Sequence, residues 1–194
     1  EVAPHSGTVR APAPHRIGYL PASSGSWAEL SVQENIEFVG RSFGLSTSQV
    51  AARADELLAR AGLDSARDRL ARQLSGGMRR KLGFCLATVA EPDLLVLDEP
   101  STGVDPVSRV ELWRLVSLAA AGGAGVVMST TYLDEAERCG HLMVLDEGHV
   151  LLSAPPEEAL GSMVGAVVAT AAPVHPERAW RRGRPWRKAR PRPG

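Results

Sequence analysis

The stretch LLVLDEP at 94–100 constrains the fold more than any other. Four apolar residues run without alternation into two carboxylates and a proline. An unbroken apolar run of this length reads as a strand covered on both faces, the habit of parallel sheets. A second run, GVVMS at 125–129, has the same character. Between them, Asp105-Pro106 supplies N-cap and first-turn chemistry, and Gly122 and Gly123 end the helix those residues open. Strand, helix, strand in this order predicts an α/β domain with a mostly parallel sheet.

Upstream, RIGYL at 16–20 is a further short strand that stops at Pro21. Two helices follow without strands between them. In SVQENIEFVGRSFGL, Val32, Ile36, Val39 and Phe43 recur every 3 or 4 residues, and Ser31 with Glu34 makes a capping box. Ser46 opens the next helix, with Val50, Ala54, Leu57, Leu58 and Ala61 on one face and Gly62 as its stop. Asp64 to Arg72 reads as a short third helical piece. These helices form a lobe inserted into the sheet domain. Downstream, LMVLDEGHVLLS at 142–153 is a hairpin with Glu147-Gly148 at its tip, Pro155-Pro156 starts a short helix, and GAVVATAA at 165–172 suits one more strand.

Charge is zero overall but unevenly placed. Eight of the 22 basic residues lie at 178–192, so the body before them carries 14 bases against 22 acids. A basic tail of this composition, without apolar period, is expected to be disordered. It has no strand or helix pattern and only Trp180 and Trp186 as stacking groups, so nucleic acid is not an expected partner. Cys85 and Cys139 have neither framework nor metal spacing and read as reduced thiols. The longest uncharged run, Ala159 to Pro176, is too short and too rich in Gly and Pro for a spanning helix.

Two stretches carry chemistry. Ligands of open α/β sheets bind at the carboxyl ends of the strands, where Asp98 and Glu99 stand. Neighbouring strand residues face opposite ways, so one carboxylate can hold Mg²⁺ through a water while the other orients an attacking water. Two solvated acids at a strand exit would look the same. In LSGGM at 74–78, glycines allow close backbone approach and a helix N-terminus presents N–H groups to an anion, with Ser75 adding a hydroxyl. A plain serine cap on a Gly-rich turn is the alternative.

Their order and spacing resemble the nucleotide-binding domain of ABC transporter ATPases. LSGGM looks like the family signature, LLVLDE like its Walker B strand with the catalytic Glu, and TGVD like its D-loop. IGYLP resembles the strand entering the Q-loop, ELSVQENIEF the start of the helical subdomain, and STTYLDEAERC the H-loop strand. The resemblance spans about residues 6–160 and is nearest to ABC-2-type exporters.

It implies a P-loop NTPase-type fold with an inserted helical subdomain at about 28–90, inside a partial ATPase domain at 1–160. An accessory segment at 161–176 and the basic tail at 177–194 follow. It further implies ATP and Mg²⁺ as cofactors, Glu99 as the catalytic residue and Asp98 as the Mg²⁺ residue acting through water. Ser75, Gly76, Gly77 and Asp105 are implied at a nucleotide shared with a facing domain. The implied partners are that second ATPase domain, in a head-to-tail dimer, and transmembrane permease subunits. The implied place is the cytoplasmic face of the membrane.

The chain departs from the family in three ways. No GxxGxGK(S/T) phosphate loop occurs in these 194 residues, and Lys81 and Lys188 are the only lysines. With Glu1 at the start, the expectation is N-terminal truncation and a fragment inactive by itself. Ala22 stands at the Gln position, and Thr131 stands at the His position. Thr131 with Asp134 fits a helix cap. The losses fall on elements that serve a domain's own ATP, while the signature and D-loop, which serve the facing domain, are kept. Two readings follow: a transport ATPase, or a non-hydrolysing domain that completes a composite ATP site in trans.

Overall fold

The computed structural model describes residues 4–162 and the pairs 180–181 and 184–185, with side chains described for 4–159. Two compact units divide between Ala136 and Glu137.

The first unit is built on a three-stranded parallel sheet of β1 (Ile17–Leu20), β2 (Leu94–Asp98) and β3 (Gly125–Ser129), in that order. Helices α1 (Val32–Ser42), α2 (Thr47–Ala61) and α3 (Gly76–Thr88) lie between β1 and β2 in the chain. Helix α4 (Pro106–Ala121) connects β2 to β3, and the single turn α5 (Leu133–Ala136) follows. The parallel α/β architecture with a helical insertion is the one expected.

Local capping explains the helix boundaries. The Ser31 hydroxyl accepts from the Glu34 N–H at 3.1 Å, and the Ser31 N–H donates to the Glu34 carboxylate at 2.7 Å. Ser46 and Gln49 repeat the motif at the start of α2, and Gly62, with φ of 64°, ends it in the left-handed region. Ser31→Ala should lower stability by about 1 kcal/mol. A urea titration checks this, with an unchanged midpoint as the contrary result.

The third helical piece expected at Asp64–Arg72 is instead two 3-10 turns, Asp64–Ala66 and Ala71–Gln73. The reason is hydrogen-bond accounting. Val32 and Gln33 open α1, and their N–H groups have no acceptor inside it. The carbonyls of Arg69 and Arg67 accept them, each at 3.0 Å. A continuous helix over these residues would have used the Arg67 carbonyl internally.

The core lies on one face of the sheet. Leu95 and Leu97, each 1 % exposed, join Leu20, Leu82, Cys85, Leu86, Leu112 and Leu115 in one apolar cluster with α3 and α4. Burial of β2 and β3 on both faces, expected from their unbroken apolar runs, does not hold among the described residues: on the second face β2 is half-buried and β3 exposed. Tyr19, Val96 and Val127 stand side by side on the other face, with Tyr19 and Val127 more than half exposed. Only one layer of helices packs on the sheet within this unit. Inside the core, burial pushes the Cys85 thiol up to about 12, consistent with an inert structural cysteine.

The second unit contains the hairpin β4 (Leu142–Asp146) and β5 (His149–Ala154), followed by α6 (Pro156–Ser162). Its tip residues Glu147 and Gly148 have φ of 46° and 82°. That pair of positive values is what a two-residue hairpin loop requires. Strands β6 (Trp180–Arg181) and β7 (Arg184–Pro185) pair antiparallel. The strand expected at 165–172 and the remainder of the basic tail lie outside the described residues. Among the described residues, no helix is long and apolar enough to cross a membrane.

Candidate functional site

The carboxyl ends of β2 and β3 meet in register, Asp98 beside Ser129. The Ser129 hydroxyl donates to Asp98 Oδ1 at 2.8 Å and accepts from the Glu99 N–H at 2.9 Å. One serine thus ties both carboxylate-bearing residues to the neighbouring strand. Glu99 lies one residue beyond the strand with φ of 42°, uncommon for a residue with a side chain. A turn follows, in which the Thr102 N–H donates to the Glu99 carbonyl at 3.2 Å and the Thr102 hydroxyl to Glu99 Oε2 at 2.9 Å. The left-handed residue ends the strand and turns the Glu99 side chain away from the pleat. Asp98 is thus the last residue of β2 and Glu99 the first of the turn, so the pair does not alternate along one strand, and Ser129 joins the two.

The glycine-rich turn is the N-terminus of α3. Ser75 caps it, its hydroxyl accepting from the Met78 N–H at 3.2 Å, while Ser75 and Gly76 are exposed. Gly77 is buried against α4. A Cβ there would overlap the Ser108 hydroxyl, sit 2.5 Å from Ser108 Cβ and reach 3.3 Å from Asp105 Oδ2. Gly77 is glycine because the first turn of α4 occupies the space of a side chain. Asp105 caps α4 through Oδ1, which accepts from the N–H groups of Val107 at 3.1 Å and Ser108 at 3.0 Å. Donation by the Ser108 N–H and hydroxyl, with smaller help from Val107, holds the Asp105 carboxyl below the usual carboxylate range. Of the residues singled out from sequence, the structure brings Gly77 to Asp105, and Asp98 to Glu99.

One turn along α3, Arg80 is buried and donates to the Pro21 carbonyl at 2.9 Å. Burial lowers its guanidinium from the ordinary value, opposed by the charges of Asp98 and Glu99. Arg80 thus ties α3 to the turn after β1. Ala22, next in that turn, is exposed and offers only a methyl group.

Sequence alone also pointed to Thr131 as a helix cap. The hydroxyl that bonds at the exit of β3 is that of Thr130, which donates to Glu135 Oε2 at 2.6 Å and accepts from the Tyr132 N–H at 3.0 Å. The bond to the N–H two residues on is a local serine/threonine turn, which competes with a helix cap. Ser129, Thr130 and Arg80 are the participants that motif matching missed. The register of Ser129 with Asp98 is the signal that could have found the first.

An oxygen-only carboxylate and hydroxyl set suits Mg²⁺, which needs only one or two carboxylates when phosphate and water complete its shell. Among the described residues no cluster of three or more His, Cys, Asp or Glu side chains forms a metal cage. The donor set fits a metal that arrives with a nucleotide better than a resident one.

Comparison with known proteins agrees with this geometry. The ABC transporter family profile matches residues 2–102. The chain is 42 % identical over 177 residues to the Nod factor export ATP-binding protein I of Cupriavidus metallidurans, covering 85 % of the chain and 58 % of that protein. It is 41 % identical over 152 residues to the probable multidrug ABC transporter ATP-binding protein YbhF of Escherichia coli, covering 77 % and 26 %. It is 40 % identical over 144 residues to the daunorubicin resistance ATP-binding protein DrrA3 of Streptomyces coeruleorubidus, covering 74 % and 46 %. The chain thus spans about half the length, or less, of these curated relatives. Among solved structures, cbiO1 of Clostridium perfringens, part of the ABC transporter complex cbiONQ, superposes with a TM-score of 0.67 at 26 % identity, covering 76 % of this chain and 60 % of that one. With the family profile over half the chain and relatives at 40 % identity or more, the chain belongs to the ABC transporter family.

Proposed function

We propose that this domain serves an exporter, binding MgATP with a second ATPase domain and coupling its hydrolysis to transport through permease subunits at the cytoplasmic face of the membrane. The observation that carries this reading is the Asp98–Ser129–Glu99 cluster at the carboxyl ends of two parallel strands. Asp98 would hold Mg²⁺ through a water, and the metal would supply charge neutralisation at the phosphates. Glu99 would accept the proton of the attacking water. Ser75, Gly76 and Gly77, at the start of the 13-residue α3, present N–H groups and a hydroxyl to a phosphate bound by the facing domain. Asp105, on the adjacent α4 turn, would face the same nucleotide. The relatives, named for Nod factor export, multidrug transport and daunorubicin resistance, support the exporter assignment.

Ala22 and Thr131 favour a second reading, in which the domain completes a composite ATP site in trans without hydrolysing its own nucleotide. An exposed methyl cannot polarise water, and threonine cannot carry the charge of a histidine. Phosphate release measured on the protein as the cell makes it decides between them. MgATP turnover is expected there, and none from the 194-residue chain alone, which contains no GxxGxGK(S/T) loop. Binding of ATP without turnover in the protein as the cell makes it would replace the first reading by the second. Turnover by the chain alone would overturn both assignments of the phosphate site.

A further inference from the structure

We propose that Arg109 is a positioning residue: from the first turns of α4 it fixes the exit of β3, and through Ser129 it holds the Asp98–Glu99 pair in place. The guanidinium sits 4.5 Å from the centre of the Tyr132 ring, pairs with Asp134, and places Nε 3.7 Å from Glu135 Oε1. All three partners belong to the segment just after β3. Glu135 is fully buried, and a buried carboxylate needs a compensating partner. Arg109 supplies the cation, while the Thr130 hydroxyl donates to the other oxygen of the same carboxylate at 2.6 Å. The Tyr132 N–H returns to that hydroxyl at 3.0 Å.

Thr130 is therefore held from both sides, and its chain neighbour Ser129 is the residue that bridges Asp98 Oδ1 and the Glu99 N–H. The path from Arg109 to the carboxylates runs through contiguous contacts: ion pair and ring stacking, a hydroxyl bond, one peptide unit, and the serine bridge. Its other end is equally fixed. Arg109 donates its N–H to the Asp105 carbonyl at 2.9 Å, and Asp105 with Ser108 fills the space beside Gly77. One helical turn thus carries both the seat of the glycine-rich turn and the clamp on the β3 exit.

The catalytic meaning of this clamp rests on the function proposed above, but the clamp itself is testable without nucleotide. Amide hydrogen exchange on the 194-residue chain reads it at two sites, the Tyr132 and Glu99 N–H groups. Arg109→Gln should accelerate both by about tenfold, leaving Val96 and Leu97 within about twofold. Arg109→Lys, which keeps the charge but loses the planar stack and fork, should restore most of the protection. A purely structural arginine would speed all four amides together. Acceleration at Tyr132 with none at Glu99, or at neither, would overturn the proposal. If Arg109→Gln does not fold, Asp134→Asn removes only the exposed partner. It should raise the same two rates about threefold, and no rise at Glu99 would again overturn it.

Discussion

Gly18→Ala should destabilise the chain by about 3 kcal/mol or prevent it from folding. Gly18 is the second residue of β1, where α3 crosses the sheet. A Cβ there would overlap the Ala87 carbonyl oxygen and lie 2.7 Å from Leu95 Cδ2. The first obstacle is helix backbone, which cannot rotate out of the way as a side-chain tip could. The second is a side chain 1 % exposed in the core. The same approach is enforced on the other side by Gly83 of α3, whose added Cβ would overlap the Ser24 carbonyl oxygen. For Gly83→Ala, helix propensity favours alanine by about 1 kcal/mol, so the two effects oppose. The clash is expected to win, because the obstacle is again backbone. Urea unfolding of both variants measures this. A Gly18→Ala midpoint equal to the parent would mean that α3 does not lie this close to β1. The consequence reaches the site, because Arg80 on α3 meets the Pro21 carbonyl only while this contact holds.

What could be read from sequence follows the range of the interactions involved. The Ser31–Glu34 capping box, the helix starts at Ser46 and Asp105 and the Glu147-Gly148 tip are local features, and each forms as the sequence suggests. Alternating strand and helix patterns likewise mark the parallel sheet. Features set by distant segments were hidden. The carbonyls of Arg67 and Arg69 are drawn out of a helix by the orphan N–H groups of α1, more than 30 residues earlier. The exposed Val127 lies in an apolar run that looks like full burial, yet among the described residues of this unit helices pack on one face only. In the site, Asp98, Glu99, Ser75, Gly77 and Asp105 were legible as motif positions. The serine that joins the carboxylates was not, because its role depends on the register between β2 and β3. Thr130 displaced Thr131 for a related reason: Glu135 is buried and reaches the hydroxyl one residue nearer the strand.

Glu99→Gln should reduce MgATP hydrolysis by the protein as the cell makes it by roughly 100-fold or more, with nucleotide binding retained. The substitution is nearly isosteric, so the geometry that places residue 99 should survive it. The left-handed backbone at φ 42° depends on the turn to Thr102 and on the N–H bond to Ser129, and neither uses the carboxylate charge. The amide oxygen of glutamine can still accept the Thr102 hydroxyl, now bonded at 2.9 Å to Oε2. What glutamine loses is the capacity to take a proton from water. A fall in kcat with little change in KM for ATP is therefore the expected pattern, the signature of an interaction that matters in the transition state rather than in binding. Unchanged turnover would mean that Glu99 is not the base and would favour the domain that completes a site in trans. A rise in KM without a fall in kcat would place Glu99 at the metal or the phosphates instead. Asp98→Asn separates that last case. Removing the carboxylate that accepts from Ser129 should first raise the Mg²⁺ concentration needed for half-maximal turnover, because its proposed task is to hold the metal through water.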